Sequence, residues 1–165
     1  MQKTSDYETV EGSIASLGMQ MRKYLTELRT ETSKYGMEAG YEYQAFRDAP
    51  VETRRAIERE LELISNQEIK MVSVVLLNNP FAEVRDYMKL MNIHKIKDEV
   101  RDQVMKRREH RNYMQHYYDE YDKKRIEQTF KLATNLTDVE EFLSYMNARF
   151  LMRQGAGESV RGGAT

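Results

Sequence analysis

The sequence predicts an all-α fold, an extended helical bundle of about five helices. Only two prolines occur among the 165 residues, and the stretch from Ile93 to Ala133 contains neither proline nor glycine. Apolar side chains also recur at helical spacing along most of the chain. We expect one domain over residues 1–154, followed by a flexible glycine-rich tail over residues 155–165.

The first helix is expected over residues 6–35 and carries a heptad pattern of apolar side chains. Ser5-Asp6-Tyr7-Glu8 fits a capping box at its start. The apolar positions follow the seam of a coiled coil. The members of this seam are Val10, Ile14, Leu17, Met21, Tyr24 and Leu28. Leu17, Met21 and Leu28 are therefore candidate residues for an interface between protein subunits.

Two further helices follow a connector, which runs from Met37 to Asp48 and has room for one short helix. Pro50 suits the first position of a helix, because its missing N–H needs no partner there. We expect that helix over residues 50–77. Asn78-Asn79-Pro80 then ends it and opens another helix over residues 80–91.

The longest helix is expected over residues 93–133, and its middle has no apolar face. Between Met105 and Tyr113 the sequence reads Lys106-Arg107-Arg108-Glu109-His110-Arg111-Asn112. We infer that none of these side chains can be buried at low cost, whichever way the helix turns. A helix that is polar all round must cross solvent or be covered by something polar. This basic waist, Lys106–Arg111, therefore points to contact with a partner.

A last helix is expected over residues 138–154, opened by a capping box at Thr137-Asp138-Val139-Glu140. Its inward positions and those of the earlier helices give the predicted core. The core candidates are Ile14, Leu17, Met21, Leu28, Ile57, Leu61, Ile64, Val75, Phe81, Val84, Met88, Phe142, Met146 and Phe150.

The net charge, the cysteine content and the length of the apolar runs argue against several classes of function. The net charge is −1, so no global basic field attracts nucleic acid, and any such binding must be local. The absence of cysteine excludes disulfides, thiolate zinc sites and a cysteine nucleophile. No classical secretion signal opens the sequence, and no apolar run is long enough to span a membrane. We expect a cytoplasmic protein or a component of a virion.

The sequence motifs that carry catalysis and metal binding are missing. A carboxylate di-iron bundle needs Glu-x-x-His on two helices, but the three histidines are preceded at that spacing by Met91, Arg107 and Tyr113. No phosphate-binding glycine loop, zinc-protease motif or serine-hydrolase elbow occurs. The sequence therefore predicts no catalytic residues, no metal site and no cofactor, and the chain is not expected to be an enzyme.

Aromatic side chains follow the basic waist. Tyr113, Tyr117 and Tyr121 are spaced by four residues, and Tyr118 lies beside them. Such a stripe is more often a packing face than a ligand site. Tyrosine suits interfaces because its large ring carries a hydroxyl that tolerates partial wetting. These four tyrosines are candidate interface residues.

The basic waist has two interpretations. Lys106, Arg107, Arg108 and Arg111 could neutralise phosphates, with a neighbouring tyrosine stacked on bases. Acidic residues follow closely, from Asp119 to Asp122, and they would repel a nucleic acid. We therefore favour a solvated stretch, or one that binds acidic residues of a partner, over a nucleic-acid site.

These observations favour a non-enzymatic structural or assembly protein whose helical faces pack into a larger complex. The expected partners are other protein subunits, either copies of this chain in a homo-oligomer or components of a larger assembly. A viral or phage particle is the setting suggested by a small, cysteine-free chain without catalytic motifs. The alternative is a nucleic-acid-binding or regulatory adaptor that uses Lys106–Arg111.

Overall fold

A computed structural model describes residues 10–34, 43–77, 91, 95–116, 119 and 121–150. Within these ranges the chain is helical and contains no strand, which confirms the all-α prediction. The helices are α1 (Val10–Ser33), α2 (Tyr43–Asp48), α3 (Val51–Leu77), α4 (Asp98–His116), α5 (Lys123–Thr134) and α6 (Thr137–Phe150). None of these described helices is long and apolar enough to cross a membrane.

Helix α3 is the centre of the bundle, because it contacts α1, α4 and α5. Its contact with α1 is the most extensive in the described structure, and α6 packs against both α1 and α4. Met21 and Leu28 of α1 are fully buried, as are Ile57 and Ile64 of α3. Each buried side chain of this kind contributes about 1.5–3 kcal/mol, so ordinary apolar burial accounts for this part of the core.

Most of the predicted core residues that the structure describes are buried. This group comprises Ile14, Met21, Leu28, Ile57, Leu61, Ile64, Phe142 and Met146. Leu17 is only partly buried and packs at the edge of the core. Outside the description lie the side chains of Val75 and Phe150, together with Phe81, Val84 and Met88.

The single long helix predicted over residues 93–133 is wrong, because the chain breaks twice in this range. The first break is at Lys95, whose φ of 56° is a left-handed conformation. The N–H of Ile96 donates to the carbonyl of Met91 at 3.0 Å, which is the six-residue hydrogen bond of a Schellman C-cap. Both of these residues are buried, as is usual for the apolar pair of this motif.

The second break is a turn made by two aspartates. The N–H of Tyr121 donates to Asp119 Oδ1 at 3.0 Å, and the N–H of Asp122 donates to the Asp119 carbonyl at 3.2 Å. Asp122 then caps α5, because its Oδ1 accepts the N–H of Arg125 at 3.2 Å. Side-chain bonds of this kind compete with the helix, so a helix can end here without proline or glycine.

The other helix boundaries lie close to the prediction. Helix α3 begins one residue after the predicted start at Pro50, and the short helix expected in the connector is α2. Helix α6 begins one residue before the predicted start at residue 138. The helix predicted over residues 80–91 lies outside the described residues except for Met91, which is helical, and the predicted tail lies outside them entirely.

Candidate functional site

Helix α4 buries a face that is apolar at one end and polar at the other. Val100, Val104, Arg107 and His110 are its buried residues. Arg107 is 2 % exposed and His110 is 3 % exposed. Two side chains of the basic waist are therefore buried, although we expected that none could be buried at low cost. The reason is that other helices supply partners for these polar groups.

Arg107 lies between carboxylates from two other helices. Its Nε donates to Glu68 Oε1 at 2.6 Å and its Nη2 donates to Glu68 Oε2 at 2.7 Å, which is a bidentate pair with α3. Its Nη2 also lies 2.5 Å from Asp138 Oδ2, in the first turn of α6. We name Glu68, Arg107 and Asp138 the ionic core. It joins α3, α4 and α6 in one place.

The electrostatics of the ionic core follow from its burial. Burial raises the pKa of Glu68 above its ordinary value, Arg107 opposes that rise, and the negative charge of Asp138 adds to it. Burial alone would lower the pKa of Arg107, but attraction by the two carboxylates outweighs it and raises that pKa. The guanidinium therefore stays charged, and its loss would leave two buried carboxylates without a cation.

A second buried network lies one turn further along α4. Arg125 of α5 forms a bidentate pair with Glu58 of α3, with Nε–Oε1 at 2.8 Å and Nη2–Oε2 at 2.6 Å. His110 Nε2 lies 2.7 Å from Thr129 Oγ1, and that hydroxyl lies 3.5 Å from Glu58 Oε1. We name Glu58, His110, Arg125 and Thr129 the His110 network.

The His110 network keeps its imidazole neutral. Burial and the positive charge of Arg125 lower the pKa of His110 to about 4. The contact between His110 and Thr129 brings a potential base and a hydroxyl together, yet both side chains are buried. The carboxylate of Glu58 contacts the hydroxyl and not the imidazole, which differs from a catalytic triad. We interpret the network as a structural one that sets the position of α5 against α3 and α4.

Tyr113 is half-buried and supports the turn between α4 and α5. Its hydroxyl donates to Asp122 Oδ2 at 2.6 Å, and Lys124 Nζ lies 4.8 Å from its ring centroid. The hydrogen bond from Tyr113 and a backbone bond from Arg125 lower the pKa of Asp122. This tyrosine therefore holds the residue that caps α5.

The remaining members of the basic waist differ in exposure. Lys106 is exposed, whereas Arg108 and Arg111 are half-buried. Arg111 Nη1 donates to Asn66 Oδ1 at 2.7 Å. Because Arg107 is enclosed in the ionic core, the four residues do not form one basic surface.

Arg111 does line a groove with other charged side chains. This groove, about 320 Å³ in volume, lies between α3, the end of α4 and the start of α5. We name it the arginine groove, and its charged lining residues are Arg55, Glu58, Arg59, Glu62, Arg111 and Arg125. Two carboxylates therefore accompany the four guanidinium groups.

The interface candidates of α1 require a correction. Met21 and Leu28 have no exposed surface, so they face the chain's own core and cannot meet another subunit in this fold. The seam is used within the chain because α3 packs against α1. Tyr117 and Tyr118 lie outside the described residues. Tyr121, in contrast, is 75 % exposed.

Tyr121 lies at a groove where α2, the start of α3 and the start of α5 meet. This corner groove has a volume of about 510 Å³. Its lining residues include Tyr43, Arg47, Arg54, Tyr121, Lys123 and Ile126. Arg54 Cζ lies 5.9 Å from the ring centroid of Tyr121. The corner groove thus combines aromatic, apolar and cationic groups.

Sequence reasoning missed most of the buried polar residues. No buried ion pair was predicted for Glu68, Asp138, Glu58 or Arg125, and the arginine partners of the two glutamates are far away in the sequence. One signal exists in retrospect. Arg107 continues the apolar stripe of its own helix, and a charged residue in such a stripe indicates a buried partner.

The described residues contain no group of three or more histidine, aspartate or glutamate side chains placed to hold a metal ion. No protein-family model matches this chain, and no similar protein was found among either the curated proteins or the solved structures.

Proposed function

We propose that this chain is a non-enzymatic structural or assembly protein, which binds other protein subunits through the surface of its helical bundle. The observation that carries the proposal is Tyr121, a large aromatic side chain that is 75 % exposed at the corner groove. Tyrosine combines a large ring with a hydroxyl and is enriched at protein interfaces, so an exposed tyrosine beside a groove favours a role in contact with a partner.

The composition of the corner groove supports this proposal. Tyrosine and arginine are enriched where protein interfaces carry most of their binding energy. Tyr43 and Tyr121 lie there with Arg47 and Arg54. The apolar side chain of Ile126 lines the same groove. An aromatic and apolar centre with charged groups around it is the usual anatomy of a protein interface.

The proposal includes a homo-oligomer or a larger assembly as the working state. A viral or phage particle remains the proposed setting. The support for it is that the chain is small, free of cysteine and without catalytic motifs. The seam residues Met21 and Leu28 have no part in this proposal, because they are buried within the chain. Tyr117 and Tyr118 stay candidates on the sequence alone.

A direct test compares the purified chain with the same chain in its source cells. Light scattering on a sizing column gives the solution mass of the purified chain, and native sizing of a tagged copy gives its size in a clarified extract. We expect a size above the monomer in at least the extract. A monomer in both measurements would overturn the proposal.

The arginine groove favours a second candidate function, a nucleic-acid-binding adaptor. Arg111 is the member of the basic waist that lines this groove, and Arg55 and Arg59 lie there with it. Carboxylates are interleaved, and Arg125 is held by Glu58, so the groove is less cationic than its arginines alone suggest. Phosphate contacts by these side chains would make binding strongly dependent on salt.

The adaptor function is tested with a fluorescent single-stranded DNA of mixed sequence. We expect fluorescence anisotropy to report binding that weakens steeply between about 50 and 200 mM salt. Arg55→Glu combined with Arg111→Glu should abolish that binding, whereas Lys34→Glu, at the end of α1, should not. Binding that the double change leaves intact, or no binding at low salt, would rule this candidate out.

A further inference from the structure

The turn that carries Tyr121 presents an aromatic ring beside an acidic group. Asp119 is exposed, and its Oδ1 accepts the N–H of Tyr121, which holds the two residues in a fixed relation. Tyr121 itself is exposed over most of its surface. The turn therefore presents the ring of Tyr121 and the carboxylate of Asp119 to solvent.

The corner groove offers the complementary chemistry. Arg47, Arg54 and Lys123 supply positive charge against one carboxylate, Asp48, and Ile126 supplies an apolar surface. Arg47 is paired with Asp48 at 3.1 Å and Lys123 lies 3.8 Å from Glu127, but the side chain of Arg47 is 49 % exposed and that of Lys123 is 84 % exposed, so both cations can still reach a partner from solvent.

The groove is also held in shape before anything binds. Arg54 Nη1 donates to the carbonyls of Arg47 and Ala49 at 2.8 and 3.0 Å, which fixes the corner between α2 and α3. The ring of Tyr43 packs edge-on against Phe130, with centroids 5.3 Å apart. A preformed groove loses little conformational freedom on binding, which favours association.

We infer that the corner groove binds the Asp119–Asp122 turn of a second copy of this chain, in a two-fold symmetric dimer. Tyr121 of each copy enters the groove of the other, and Asp119 lies against the cations there. This inference rests on the proposed function, and it names both the partner and the surface. Formation of this dimer would be the first step in building the proposed assembly.

The position of Tyr121 is the reason for choosing a second copy as the occupant. A two-fold interface uses one surface patch on both subunits, so the inserted residue and its receiving groove must lie together on that patch. Tyr121 belongs to the projecting turn and also lines the corner groove. The same patch thus contains both halves of a self-complementary contact, with an acidic group on the turn and basic groups in the groove.

The dimer is tested by light scattering and sedimentation of the full chain over a range of concentrations. We expect twice the monomer mass, and a dimer dissociation constant that rises about tenfold or more with Tyr121→Ser or with Arg47→Glu. Asp119→Asn keeps the oxygen that accepts the Tyr121 N–H and removes only the charge, so we expect a smaller rise. High salt should weaken the dimer in the same direction.

Two matched controls separate this contact from general surface effects. Met19 is 70 % exposed on α1 and does not line the corner groove, so Met19→Ser should leave the dimer unchanged. Arg59 is exposed and also lies outside this groove, so Arg59→Glu should do the same. Circular dichroism and an unchanged thermal midpoint would show that each variant is folded.

A mixing experiment tests the reciprocal geometry. A chain with Tyr121→Ser keeps the cations of the corner groove, and a chain with Arg47→Glu keeps Tyr121. Mixed together, they can bring one unchanged turn to one groove that keeps its cations, so we expect them to associate more tightly than either variant with itself. Equal or weaker association of the mixture would overturn the reciprocal contact.

The remaining outcomes separate this inference from the proposed function. A purified chain that stays monomeric at all concentrations overturns the dimer, and so does an oligomer whose mass ignores Tyr121→Ser and Arg47→Glu. Either result leaves the assembly proposal in place if the tagged chain in the extract is still larger than a monomer. A monomer in the extract as well overturns both.

Discussion

Helix α3 is held on one side by apolar packing and on the other by ion pairs. Against α1, the buried residues are the members of an apolar seam, such as Met21 and Leu28. Against α4 and α5, Glu68 and Glu58 of α3 each form a bidentate pair with an arginine. A single helix thus uses two different kinds of contact within one bundle.

The two contacts differ in how strictly they fix the geometry of the helices and in how well they tolerate substitution. Apolar burial depends mainly on area and shape, so a similar side chain can replace another at moderate loss. A buried bidentate pair fixes distances and angles, and removing one member leaves the other charge buried alone. We therefore expect the ionic core to fix the rotation and register of α4, while the α1 contact supplies stability.

The largest expected effect is that of removing the central cation. Arg107→Met should reduce the free energy of unfolding by about 3–5 kcal/mol, because Glu68 and Asp138 remain buried without a partner. Urea unfolding at pH 7 measures this loss. The loss should shrink in acid, because burial raises the pKa of Glu68 and this carboxylate is neutralised as it takes up a proton.

Three comparison variants identify the cause of that loss. Arg59→Met, at an exposed ion pair, should change stability by less than about 0.5 kcal/mol. Ile64→Ala, in the apolar core, should lose about 2–5 kcal/mol. Adding Glu68→Leu and Asp138→Asn to Arg107→Met should recover most of the loss, because no unpaired charge remains. Wild-type stability of Arg107→Met alone would contradict the buried position of this residue.

The next effect is acid destabilisation through the His110 network. The pKa of His110 is lowered to about 4 in the folded chain by burial and by Arg125, so the unfolded chain binds more protons between that value and about 6.5. The stabilisation is therefore complete above about pH 6.5 and is lost as the pH falls towards 4. We expect a loss of about 2–3 kcal/mol from this residue.

Unfolding measured across this pH range checks the assignment to His110. His110→Gln retains a polar side chain at Thr129 but does not titrate, so its stability should vary much less between pH 6.5 and 4. His116 is exposed, so His116→Gln is the matched control for the effect of a His→Gln substitution itself. An unchanged profile for His110→Gln would show that other groups cause the acid loss.

A smaller effect of opposite sign is expected on the apolar side of α3. Burial, together with the negative charge of Glu27, raises the pKa of Glu60 to about 7, and Glu60 Oε2 is buried without a hydrogen-bond partner. A raised pKa means that the protonated form is stabilising below about 4.5 and that this stabilisation is lost as the pH rises through 7.

Glu60→Gln removes that titration. After allowance for solvent screening, we expect a gain of about 1 kcal/mol at pH 8 and little change at pH 4.5. Glu62→Gln is the matched control, because Glu62 is paired with Arg59 on the same helix and should show no such gain. A gain of equal size at both pH values would contradict the role of proton binding.

The smallest expected effect is a stabilisation at Gly18 in α1. A Cβ at this position would lie 3.5 Å from Met71 Cε and 3.8 Å from Leu143 Cδ2, which are ordinary contact distances. Gly18→Ala should therefore raise the free energy of unfolding by about 0.5–1 kcal/mol, because alanine loses less backbone freedom in a helix. Thermal unfolding measures the gain, and a lower midpoint would show that α1 and its neighbours pack too closely here.

The parts of the fold that follow local rules could be predicted from the sequence. The heptad spacing of α1 identified Met21 and Leu28 as apolar packing residues, and Pro50 located the start of α3. The sequence did not show what the seam residues pack against, because a heptad seam can pack within its own chain or against another subunit. Only the three-dimensional position of α3 decides between these cases.

The breaks in the long helix were not predictable from proline and glycine. Lys95 takes the left-handed position that glycine usually occupies, so its residue type gives no signal. Asp119 and Asp122 do carry a signal, since aspartate favours turns and helix caps. That signal was interpreted as an acidic patch on a continuous helix.

The ionic core was missed because a search for apolar side chains at helical spacing assigns every charged residue to the surface. Arg107 lies 39 positions from Glu68, so no local pattern connects them. A better rule follows from Val100, Val104 and Arg107, which share one helical stripe. Where such a stripe runs into a charge, an opposite charge in the stripe of another helix, here Glu68 after Leu61 and Ile64, indicates a buried pair.

The most direct test of this account is the solvent exchange of the arginine side chains, measured by NMR on the Nε–Hε groups at pH 7. We expect the Nε–Hε proton of Arg107 to exchange at least about a hundredfold more slowly than that of Arg59, because it is buried and bonded to Glu68. Arg59 is 61 % exposed and serves as the internal reference. Exchange of Arg107 at the rate of Arg59 would place it in solvent and contradict the ionic core.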